Sequence, residues 1–160
     1  MIVTLQNLIE ALRNELQQYG EMLALLDHQR EMVRLQGADQ VLPSLSAIDA
    51  QSAAIQAARV RRESAQQAHA HQLHQPSDST FARIIPLLPE QYRPLVSALV
   101  QENNELLLRV RDRAQQNHIL LRQSVEMMQR FITTLAPDNS TESCELAVAE
   151  TGPALYEAII

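Results

Sequence analysis

Apolar residues recur at a spacing of seven along the first stretch of the chain, at Leu5, Leu12, Tyr19, Leu26 and Val33. Ile9, Leu16 and Leu23 follow the first three of these four residues later. On a helix these rows form a stripe about two side chains wide, the pattern of a helix packed lengthwise on a partner. The pattern predicts one long helix from Thr4 to Gln36, with Thr4 as N-cap and Gly37 as C-cap. Residues 37–44 read as a connection, and Pro43 with Ser44 as the opening of a second helix from Leu45 to about His74. In that helix Leu45, Ile48, Ile55, Ala58 and Leu73 face inward. The stripe is thin beyond Ile55, so this half is expected to be the less stable one.

Gln75 to Thr80 is a polar loop, and Phe81 to Leu87 reads as a short helix closed by Pro86 and Pro89. A third long helix begins near Glu90, with Pro94 in its first turns or at a kink. Its seam is the most regular in the chain: Val100, Leu107, Ala114, Leu121, Met128 and Leu135 at a spacing of seven. Asn103 and Asn117 interrupt a neighbouring row, where a polar residue must find a partner or set register. Glu105–Arg109 and Glu126–Arg130 are spaced to pair on the wet side. After Pro137 the pattern changes to a polar turn, a possible short helix from Ser140 to Glu150, and an apolar run of Leu155, Tyr156, Ala158, Ile159 and Ile160. The reading is an all-α fold: an elongated antiparallel bundle of three long helices over residues 1–137, followed by a short amphipathic C-terminal segment, 138–160.

Composition agrees with helices. Three glycines in 160 residues leave little for the tight turns that sheets require. With no Trp, two Phe and three Tyr, the core is aliphatic. The net charge of −6 is uneven: from Phe131 onward there are five acids and no Arg or Lys. An acidic tail on a near-neutral body argues against a nucleic-acid binder. The Arg clusters at 59, 61 and 62 and at 109, 111 and 113 read as solvated faces. A lone cysteine, Cys144, gives no sign of an oxidising compartment. The N-terminal residues lack the pattern of a signal peptide, and no run approaches a membrane span, so the expected location is the cytoplasm.

Candidate chemistry is sparse. His69, His71 and His74 form the one metal-like cluster, but no carboxylate or thiol completes a site, and they read as a solvated helix end. There is no nucleophile motif, Gly-rich phosphate loop or H-E-x-x-H, and scattered Glu residues read as solubilising. The expectation is a non-enzyme without cofactor or metal. What stands out is the Met-bearing end of the third long helix, from Leu120 to Leu135, together with the acidic tail. Met suits surfaces that adapt to a partner, and an amphipathic helix can occupy or offer a groove.

These residues carry a resemblance. Asn117-His118-Ile119-Leu120-Leu121, then Ser124 and the run to Leu135, is similar to the Asn-(Gly)-x-Leu-Leu stretch and following apolar helix of FlgN-type flagellar type III export chaperones. His118 stands where the family often has Gly. Leu155-Tyr156-Glu157-Ala158 is similar to its Tyr-Gly-x-x-Gly element, without either glycine. The resemblance implies a chaperone that binds C-terminal helices of hook–filament junction proteins, keeps them from self-associating, and delivers them to the export gate. It also implies a mobile amphipathic C-terminus. The implied cargo site is Leu121, Val125, Met128, Phe131, Ile132 and Leu135, with Leu146 and Val148 adding to it, and Tyr156 would dock at the gate. The alternative is a structural coiled-coil protein whose seams make a homodimer.

Overall fold

The computed structural model describes residues 2–36 and 41–135. All regular structure among them is helical. Helix α1 spans Ile2–Gln36, α2 Val41–Gln72, α3 Phe81–Ile84 and α4 Arg93–Leu135. Single 3-10 turns at Ile85–Leu87 and Glu90–Tyr92 lead from α3 into α4. Pro94 sits one residue inside α4, where its missing N–H leaves no helical bond unmade.

The helix ends differ from the sequence reading in instructive ways. Thr4 is inside α1 rather than capping it, and its hydroxyl lies 2.9 Å from His69 Nδ1 and 2.6 Å from Gln72 Oε1 on α2. Helix α2 already includes Val41, so Pro43 and Ser44 lie in its first turn; the Ser44 hydroxyl donates to the Val41 carbonyl at 2.6 Å. At the other end α2 closes on a Schellman turn. His74 N–H donates to the His71 carbonyl at 3.1 Å, and Gln75 N–H to that of Ala70 at 2.9 Å. This turn puts His74 at φ 54°, a left-handed conformation usually taken by Gly.

The chain forms two compact units. The first comprises Met1–Glu21 and Ala53–Leu108. Its aliphatic core joins Leu5, Leu8, Ile9 and Leu12 of α1 to Ala70, Ile84, Leu88, Val96 and Leu99. Glu15 and Tyr19 on α1 meet Arg62 on α2: Arg62 Nε donates to Glu15 Oε2 at 2.9 Å, and the Tyr19 hydroxyl donates to Glu15 Oε1 at 2.9 Å. Burial first, and then the Glu15 carboxylate, push the Tyr19 phenol well above its usual range. Gln66 extends the network to the loop after α2 by donating to the Ser79 carbonyl at 2.8 Å. The pairings Glu15–Arg62 and Thr4–Gln72 make α1 and α2 antiparallel.

The second unit comprises Met22–Ser52 and the chain from Arg109 onward. Its buried apolar residues are Met22, Leu26, Val33, Val41, Ile48, Val110 and Ala114. A polar relay crosses all three helices: Asn117 Nδ2 donates to the Leu26 carbonyl at 2.7 Å and to Gln29 Oε1 at 3.1 Å. Gln29 Nε2 in turn donates to the Ser44 hydroxyl, also at 3.1 Å. Arg113 pairs with Asp27 at 2.7 Å, and Arg30 reaches Gln116 at 3.3 Å. Residues ascend together in these pairs, so α4 runs parallel to α1. Neighbours in sequence are antiparallel, and the first and last long helices are not.

Two patterns in α1 separate expectation from outcome. The row at Leu5, Leu12, Tyr19, Leu26 and Val33 is buried, as its spacing predicts. The second buried row is Leu8, Glu15, Met22 and Gln29, whereas Leu16 and Leu23 are only half-buried. Glu15 and Gln29 hide this row in a hydropathy reading, because each is buried by virtue of a specific polar partner. Asn103 and Asn117 behave as their positions suggest: both are buried, and each donates to a carbonyl of α1, Leu12 for Asn103 and Leu26 for Asn117.

Candidate partner-binding face at the end of α4

The site is built from the register of α4 against α1. Asn117 bonds the Leu26 carbonyl, a step of 91 residues, which sets Gln36, the last residue of α1, level with Met127. The Gln29–Ser44 bond sets the start of α2 close to Met32 on α1. Helix α4 continues to Leu135, so its last eight residues run about 12 Å past the end of α1 at the α-helical rise. Among the described residues no helix of the second unit covers that stretch.

The seam continues there without cover. Leu121 and Val125 are half-buried, still within the reach of the unit. Met128 and Ile132 are 42% and 47% exposed, and Phe131 and Leu135 67% and 72%. Met127, which the heptad places beside the seam, is exposed as well. Three hydroxyls on this stretch turn back to their own helix. Ser124 donates to the Leu120 carbonyl at 3.0 Å, Thr133 to that of Gln129 and Thr134 to that of Arg130, both at 2.8 Å. These internal bonds leave less polar surface beside the apolar residues. The ion pair that forms is Arg122–Glu126 at 3.2 Å, rather than Glu126–Arg130, and Glu105 accepts from Gln101 rather than pairing with Arg109.

The cause of this exposure differs from the sequence argument. The thin half of α2, beyond Ile55, belongs to the first unit, with Phe81–Leu88 and the start of α4. The free end of α4 belongs instead with the first turns of α2, whose stripe is the stronger one. Helix length and register, not a weak neighbour, leave the α4 seam open. Leu146, Val148 and Tyr156, the other positions implied by the resemblance, lie outside the described residues.

Several residues read as solvated from sequence are not. His69 is fully buried, held by Thr4, while His71 and His74 are exposed, so the three do not converge. Thr4 donates to Gln72, so His69 Nδ1–H donates to Thr4; Nε2 is left buried with no partner among the described residues. Burial, and secondarily the positive amino terminus, lower the His69 pKa and keep the ring neutral. Arg62 and Glu15 form the pair described above rather than a wet face. No group of three or more metal-ligating side chains is assembled among the described residues. A groove of about 730 Å³ between α1 and α2 of the first unit, walled by Thr4, Asn7, Ala11, Asn14, Arg61 and Ser64, contains none of the implied cargo or gate residues. None of the described helices is long and apolar enough to cross a membrane.

Among the described residues the end of α4 carries a run of exposed apolar side chains on an all-helical scaffold, a surface of the kind through which helical proteins bind polypeptide. The family model described as FlgN protein matches residues 1–144, and the chain belongs to that family. It is therefore a member of a family of flagellar export chaperones, whose general role is to bind flagellar hook-associated proteins. No curated protein and no solved structure matched in the same comparisons.

Proposed function

We propose that this chain is a cytoplasmic chaperone for the C-terminal helices of hook–filament junction proteins, which it keeps from assembling early and hands to the export gate. The observation that supports this is the apolar run on α4 past the end of α1. The cargo site is Leu121, Val125, Met128, Phe131, Ile132 and Leu135, extended by Leu146 and Val148. A cargo terminus without structure of its own folds there as an amphipathic helix, apolar side down. Fully burying a Leu, Ile, Met or Phe side chain is worth about 1.5–3 kcal/mol. The four exposed ones, Met128, Phe131, Ile132 and Leu135, supply on the order of 4–8 kcal/mol, against which ordering the cargo costs about 2–5 kcal/mol. The surplus suits a complex that holds its cargo and then releases it.

Tyr156 serves the second step, docking at the gate. Fluorescence anisotropy with a labelled peptide of a junction protein's C-terminal helix tests the first step. Phe131→Asp lowers affinity by about 30-fold or more, since a charge replaces an anchor in a desolvated contact. Tyr156→Ala leaves that affinity unchanged and weakens binding to the gate's cytoplasmic domain. Unchanged cargo affinity in Phe131→Asp sinks the assignment. An obligate dimer by light scattering, indifferent to the peptide, favours the coiled-coil homodimer instead.

A further inference from the structure

We infer that the free end of α4 takes two helical segments of its partner side by side, and that Met127, outside the cargo residues named above, anchors the second. Along a helix that packs lengthwise, four positions of every seven can meet a neighbour: two at the centre of the face and one on each flank. Beside α1 those four are Arg113, Ala114, Asn117 and His118, and three of them are polar. Fourteen residues on, the same four are Met127, Met128, Phe131 and Ile132, all apolar and all exposed. The set between them, Leu120, Leu121, Ser124 and Val125, has one polar member, whose hydroxyl donates to the Leu120 carbonyl. The face becomes apolar across its full width where the described helices cease to cover it.

The contacts upstream tell the two flanks apart. Arg113 pairs with Asp27, and Asn117 donates to the Leu26 carbonyl and to Gln29, so this side of α4 faces α1. Ala114 and His118, each the next residue, are turned about 100° from these, yet Ala114 is buried and His118 half-buried. Upstream, then, α4 is covered on both sides. Past the level of Gln36, Met127 and Phe131 continue the side that faced α1, and Met128 and Ile132 continue the other. The cargo residues already named take up the centre and the flank of Val125 and Ile132, a seat for one helix. A single helix in a two-stranded contact fills the centre and leaves the flanks at the rim, where charged residues are usual. Met127 is instead a flexible apolar side chain suited to packing against a partner, and a second helix beside the first buries it. A second copy of this chain brings one α4 to each α4, which fills the centre but not both flanks. Two segments of one partner fill both, and the second arrives at an effective concentration on the order of millimolar once the first is bound.

The second seat rests on the reading of this face as the cargo site. Titration calorimetry on the full chain tests it with two probes: a peptide of a junction protein's C-terminal helix, and a tandem of two such helices joined by a flexible Gly/Ser linker. Two single peptides are expected to bind each chain, and the tandem to bind about 100-fold tighter or more than one peptide alone. Met127→Asp leaves the tighter single peptide within about threefold of its affinity for the natural chain and cuts the advantage of the tandem below about tenfold, because the charge spoils only the second seat. Met127→Leu keeps the advantage. Met127 is exposed, so neither substitution touches the core, and an unchanged unfolding midpoint verifies this. One peptide per chain, or a tandem advantage that Met127→Asp does not reduce, overturns the inference and leaves the cargo reading standing. No binding of either probe removes the cargo reading and the second seat with it.

Discussion

The two units hold themselves together by different means. The first buries a continuous aliphatic cluster to which α1, α2, α3 and α4 all contribute, and adds a buried Glu15–Arg62–Tyr19 network. The second has fewer large buried side chains and depends on a polar relay, Asn117 to Gln29 to Ser44, at its centre. Its seam then continues past its own partners into the open. Apolar area removed from water is the main source of stability, whereas net hydrogen bonds contribute less and chiefly specify geometry. The first unit is therefore the anchor. The second holds α4 in a register that leaves its last eight residues free, which is what a binding surface needs.

The largest expected effect separates core from face. Leu8 is fully buried, and Leu8→Ala costs about 2–5 kcal/mol in urea unfolding. Phe131→Ala, on the open end of α4, stays within about 0.5 kcal/mol of the natural chain. A loss for Phe131→Ala as large as that for Leu8→Ala erases the distinction between the units.

Next comes the buried pair of the first unit. Arg62→Met leaves the Glu15 carboxylate buried beside Tyr19 and costs about 3 kcal/mol, whereas Glu15→Leu combined with Arg62→Met recovers most of the loss. A double variant no better than the single one shows that the pair does not act as a unit.

A pH titration sharpens the comparison further. The folded-state pKa of His69 is below its ordinary 6.5, so between the two values the unfolded chain binds the extra proton. Stability is flat above that value and declines as pH falls through 6.5 toward the lowered folded value, and His69→Gln removes this component. A decline of the same size in His69→Gln assigns it elsewhere.

The smallest effect is a gain. His74 holds a left-handed conformation that Gly adopts without strain, so His74→Gly raises the unfolding free energy by about 0.5–1 kcal/mol. No change in the denaturation midpoint contradicts the assignment of the Schellman turn.

Much of the helical layout was legible because it is written in period. The heptad row from Leu5 to Val33 and the seam through Ala114 to Leu135 need only a count along the chain. Asn103 and Asn117 were legible too, since a polar residue beside an apolar seam must find a partner. Glu15, Gln29, Arg62 and His69 were not. Glu15, Gln29 and His69 are polar yet buried, and Arg62 is half-buried, each against a particular partner on another helix. The exposed run, Met127 to Leu135, falls within the longer stretch from Leu120 that read as under-covered, but the weak half of α2 is not its cause. Periodicity marks a side chain as apolar-facing but does not say where the facing helix stops.

The sequence by itself determined that the chain is helical, where its long seams run, and that α4 carries more apolar surface toward its end than ordinary bundle packing explains. Periodicity is local, and it survives without knowledge of any partner. Tertiary structure alone decided that α1 and α4 are parallel, that their offset of 91 residues ends α1 level with Met127, and that the seam from Met128 to Leu135 is consequently bare. Register between two helices is a relation set by which donor meets which carbonyl, and neither helix encodes it alone.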